Sequence, residues 1–116
     1  MLQDERQLGA FLGPQADRLG LRLAFDTHYD AQNWELSWWR GRTLHRLDFQ
    51  PLGTGKCAVT HYRDQFRLLP RFLRWAHYAI PMFPYAARVS ANSPTTILFP
   101  VEERDVSALI LKGLAA

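Results

Sequence analysis

Between Leu21 and Tyr62 apolar and polar positions alternate with a period of two, the mark of strands that bury one face. Leu21, Leu23, Phe25, Thr27 and Tyr29 share one parity; Arg22, Ala24, Asp26 and His28 share the other. A second strand sets Trp34, Leu36 and Trp38 against Glu35, Ser37 and Trp39. A third sets Thr43, His45, Leu47 and Phe49 against Leu44, Arg46 and Asp48, and a fourth sets Cys57, Val59 and His61 against Ala58, Thr60 and Tyr62. Turn-forming stretches separate them: Asp30-Ala31-Gln32-Asn33, the two-residue Arg40-Gly41, and Pro51-Leu52-Gly53-Thr54-Gly55.

Loops of these lengths place Tyr29 opposite Trp34, Thr27 opposite Leu36, Leu36 opposite His45, and Leu47 opposite Val59. His45 then stands opposite His61, and every apolar parity falls on one face. A slip of one residue at any turn would send a whole apolar set into water. The expectation is a four-stranded antiparallel meander over about 21–62. On its other face His28, Glu35 and Arg46 should form one cross-strand row.

The flanks read as helices and short strands. Asp4 caps a first helix carrying Leu8, Phe11 and Leu12 on one side, with Gly13-Pro14 ending it and a further turn closing at Gly20. Pro70 opens a helix in which Phe72, Leu73, Ala76 and Ile80 face the sheet, and Pro81 and Pro84 stop it. The segment 82–87 reads as an irregular aromatic loop. Val89 and Thr95–Phe99 suggest two more short strands around Asn92-Ser93-Pro94. The last helix should run from about Val101 to Lys112, acidic at its start, basic at its end, with Gly113 just beyond. The fold expected is α+β, a two-layer sandwich with helices over one sheet face.

A chain of 116 residues fits one domain, 1–116. No apolar run approaches the ~20 residues of a membrane span, and the N-terminal residues lack the pattern of a signal peptide. Cys57 is the only cysteine, which suits a reducing cytoplasm. Residues 40–88 carry nine arginine or lysine residues against Asp48 and Asp64 alone, so the modest net charge of +3 conceals a basic middle. Arginine dominates the basic set, a bias that a GC-rich bacterial genome produces without any recognition role.

No metal, nucleotide or catalytic-triad signature is present, and no cofactor is expected. His45 and His61, expected Cβ to Cβ at about 4.5–5.5 Å, lack the third ligand that zinc requires. Cys57 is too far along the strand from His61 to act as its nucleophile partner. Asp26, His28 and Glu35 offer acid–base groups that a solvated salt-bridge row explains equally well.

The stronger signal is a surface. Trp39, Leu44 and Tyr62 on the outer parity, ringed by Arg22, Arg42, Arg46 and Lys56, together with a helical stripe of Arg67, Arg71 and Arg74, form an aromatic and cationic patch. Such a patch suits a protein partner or self-association, or else stacking on single-stranded nucleic acid. A third possibility is that residues 82–99 or the N-terminal arm simply cover it. The expected function is a non-enzymatic cytoplasmic binding module for another protein. A nucleic-acid-binding module and a small hydrolase-like enzyme stand as alternatives.

Overall fold

The computed structural model describes residues 2, 4–28, 31–66 and 88–116. Among them are two helices, α1 (Glu5–Leu19) and α2 (Glu103–Ala115). The strands are β1 (Arg22–His28), β2 (Ala31–Arg40), β3 (Thr43–Pro51), β4 (Cys57–Phe66), β5 (Arg88–Asn92) and β6 (Thr96–Leu98). All six strands join one antiparallel sheet in the order β1-β2-β3-β4-β5, with β6 pairing the first part of β4. This is the α+β meander the alternation called for, with both extra strands present. The helix expected after Pro70, and the loop expected at 82–87, lie outside the described residues.

The parity holds throughout and the register does not. Phe25 pairs with Trp34 and Leu23 with Leu36, where Tyr29 and Thr27 were expected. Leu36 pairs with Leu47 rather than His45, and Leu47 with His61 rather than Val59. The β1–β2 pairing is displaced by four residues and the other two pairings by two, whole pleats in each case, which returns every side chain to the face it left. The turns explain the shifts. Ala31, Gln32 and Asn33 belong to β2, leaving only 29 and 30 between the first two strands. Arg40 pairs with Thr43, so the second turn is Gly41-Arg42. Gly41 supplies φ 65 at its first position, where the hairpin turns that match strand twist need a positive value.

The core lies between the helices and the even-numbered face of β2. Leu8, Leu12 and Ala16 of α1 and Val106 and Ile110 of α2 join Leu36, Leu47, Phe49 and Val59 in one buried cluster. Each helix seats a glycine on a tryptophan of that face. A Cβ on Gly9 would stand 2.6 Å from Trp34 Cε2, and one on Gly113 would stand 3.2 Å from Trp38 Cη2. Trp34 Nε1 also donates to the Glu5 carbonyl at 2.7 Å, so its polar atom is satisfied where its ring is packed.

Asp4 caps α1 as expected, its carboxylate accepting from the Gln7 amide at 2.8 Å. Gly13-Pro14 does not end that helix. Pro14 is exposed and the chain stays helical to Leu19, where Gly20 (φ 70) closes it. Leu12 and Ala16 are both buried, and their packing outweighs the one hydrogen bond that proline forfeits. Gly113 is likewise a residue inside α2 and not a stop beyond it. Among the described residues, no helix is long and apolar enough to cross a membrane.

Candidate functional site

The expected surface divides when placed on this sheet. Trp39, Arg46 and Tyr62 fall on the face turned away from α1 and α2, and Arg42 on the exposed β2–β3 turn. Arg67, Arg71 and Arg74 lie outside the described residues. On that face Arg46 is committed. Its Nη2 lies 3.1 Å from Asp64 Oδ2, and its guanidinium sits 5.0 Å over the Tyr62 ring. Asp64 is 1% exposed and also accepts from Ser90 Oγ at 2.7 Å. Leu44, beside them, is 0% exposed. Residues 88–92 and 96–98 extend the sheet edge, and residues 82–87, the rest of the segment expected to cover this face, lie outside the described residues.

The acid–base row is not formed. Glu35 stands between Ala24 and Asp48, while His28 pairs with Ala31 and Arg46 with Ser37 and Tyr62. The slips of four and two residues separate the residues that an unshifted register would have aligned. Cys57 is buried, and burial first, then the charge of Asp48, pushes its thiol up to about 11. It stays a protonated, unreactive thiol near neutral pH.

The two histidines do meet, by a different route. His45 is paired with Arg63, so His61 lies on the diagonal, yet His45 Nδ1 and His61 Nε2 stand 2.9 Å apart. Trp38 stacks on His45 with ring centroids 5.3 Å apart and planes within 4°. His45 titrates below its ordinary range because of burial first, then Arg63 and Arg40. His61 does so through burial, then His45 and Arg63. Both rings are therefore neutral near pH 7, one donating the shared hydrogen to the other. Among the described residues no group of three metal-ligating side chains exists.

Beside this pair the sheet edge is broken. β6 pairs with residues 57–59 of β4 and β5 with residues 62–66. Between them the chain turns across His61, whose carbonyl accepts from the Ser93 amide at 2.9 Å. A cleft of about 360 Å³ opens there, between β4, the 93–96 turn and the end of α2. Leu47, Val59 and Leu109 contribute its apolar lining; His61, Arg63 and Lys112 contribute its cationic and titratable lining. Among the described residues no carboxylate side chain lines it. Arg63 Nε is buried without a hydrogen-bond partner. The arrangement is an apolar slot with a positive end, of the kind that receives an acidic group carried on an apolar body.

Sequence reasoning missed Arg63 and Lys112. The signal was available for the first: Arg63 continues the inward parity of Cys57, Val59 and His61. Comparison with protein-family models, with curated proteins and with solved structures finds no match in any of the three.

Proposed function

We propose that the chain is a non-enzymatic binding module whose partner is a protein segment presenting acidic and apolar side chains together. The contact is assigned to the cleft beside His61 rather than to the outer sheet face. One observation carries this reading: Arg63 and Lys112 share a cleft in which no described carboxylate side chain answers them. A cleft of about 360 Å³ is at the lower end of the roughly 300–1,000 Å³ typical of ligand pockets. That volume suits a few side chains of an extended peptide. On the outer face the guanidinium of Arg46 already has a carboxylate, and an aromatic ring covered by a guanidinium offers less surface for a stacked base.

The test is fluorescence anisotropy with three labelled probes: a short peptide alternating glutamate and leucine, its lysine–leucine counterpart, and a single-stranded oligonucleotide. The acidic peptide should bind best, and Arg63→Gln or Lys112→Gln should each weaken it about tenfold, the effect of roughly 1.4 kcal/mol. Equal binding of the two peptides, or indifference to both substitutions, would refute the assignment. Preference for the oligonucleotide with a steep fall in salt would favour the nucleic-acid reading instead.

A further inference from the structure

The neutral histidine pair forms part of the cleft wall, and its position gives the site a second property. His61 lines the cleft; His45 stands behind it, joined through the 2.9 Å Nδ1···Nε2 contact and stacked on Trp38. Among the described residues the charged side chains acting on the pair are Arg40 from β2 and Arg63 from β4, and Lys112 from α2 shares the cleft with His61. The backbone oxygen of Ala116, at the end of α2, already accepts from Arg40. These charges are positive, and they oppose a further positive charge on either ring. The hydrogen bond itself favours one, because an imidazolium donating to an imidazole is charge-assisted and stronger than the neutral bond. What holds the pair neutral is therefore its surroundings, and an acidic ligand changes those surroundings.

We propose that the site is proton-coupled: an acidic peptide entering against Arg63 and Lys112 draws one proton onto the His45–His61 pair. This rests on the assignment of the cleft made above. The proton comes from solvent and resides on the hydrogen-bonded pair as a unit. A second does not follow, since it would leave two N–H groups facing each other across the contact.

Isothermal titration calorimetry of the glutamate–leucine peptide into the full chain, at pH 6.5 in buffers of differing ionisation enthalpy, reads the proton directly. The peptide's carboxylates ordinarily titrate near 4.3 and contribute little there. The expected result is net uptake approaching one proton per peptide. Affinity should tighten by up to about tenfold per pH unit as pH falls through the titration window. The His45→Gln variant, which leaves the cleft lining intact, should bind the peptide with much reduced uptake, because His61 loses the imidazole that shares the proton. His45→Asn provides the same readout where His45→Gln fails to fold. Binding with identical enthalpy in every buffer would overturn the coupling and leave the cleft assignment standing. Uptake that persists in the folded variants would also overturn it, by placing the proton elsewhere. Failure of the peptide to bind at any pH would overturn the cleft assignment and the coupling with it.

Discussion

The two faces of this sheet treat their cations differently. On the outer face Arg46 has a counter-charge: Asp64, which accepts from Ser90 at 2.7 Å, lies 3.1 Å from it, and its guanidinium sits over the Tyr62 ring. Arg46 Nε on that face and Arg63 Nε on the inner face are both buried without a hydrogen-bond partner, but beside Arg63 the cleft holds no described carboxylate side chain, and two neutral imidazoles share one hydrogen under its field. A buried charge with its counter-charge in place is structure. One without it, beside a cleft, is a place where a missing partner would be welcome. Of the aromatic and cationic residues that stood out in the sequence, Arg46 and Tyr62 belong to the first kind. The chemistry left unfinished belongs to the second.

The contrast can be broken first by packing. Leu36 on the inner face and Leu44 on the outer are each fully buried. Truncating either to alanine should cost about 2–5 kcal/mol in urea-monitored unfolding. A loss under about 1 kcal/mol for Leu44→Ala alone would mean that the outer face is not closed. Charge removal gives a sharper and smaller difference. Asp64→Ala strands Arg46 and Ser90 and should cost about 1–3 kcal/mol, with Arg46's partial exposure limiting the penalty. Arg63→Met removes a cation without a described carboxylate partner and should change stability by no more than about 0.5 kcal/mol, or raise it. Equal destabilisation by the two would erase the distinction between the faces.

The smallest effect is on pH. Both histidines titrate below their ordinary value in the folded chain, for reasons of burial and neighbouring cations. The unfolded chain, with ordinary values near 6.5, then binds more protons as pH falls below that point. Stability accordingly rises with pH through the window and is lost on acidification. The melting temperature should be lower at pH 5.5 than at 7.5, and the drop should shrink in His45→Gln/His61→Gln. A drop of unchanged size in that variant would assign acid sensitivity to other groups.

Parity was legible in the residues and register was not. Alternation reports which face a side chain occupies, and a slip by an even number of residues leaves that unchanged, so slips of four, two and two residues passed unseen. They mattered only for chemistry that depends on direct neighbours. The His28–Glu35–Arg46 row dissolved, while the His45–His61 pair survived because imidazoles reach across a diagonal. Arg63 was hidden by a strand that runs four residues past Tyr62, to Phe66. Lys112 reads equally well as a helix-dipole complement, and only the fold brings it to the cleft. Pro14 and Gly113 misled in the same direction. Both look like helix boundaries locally, and tertiary packing carries the helix through each.

The glycine–tryptophan seats have an experimental use that follows from their separation. Trp34 is the residue on which α1 rests and Trp38 the one beneath α2, four positions apart on one strand. In variants retaining only one indole, Trp34 emission reports whether the first helix is docked and Trp38 emission reports the second. Because Trp38 also stacks on His45, its brightness carries the protonation state of the ring beneath it. A single strand thus holds two optical gauges, one for each of the two described helices, and one of them reads acid as well as assembly.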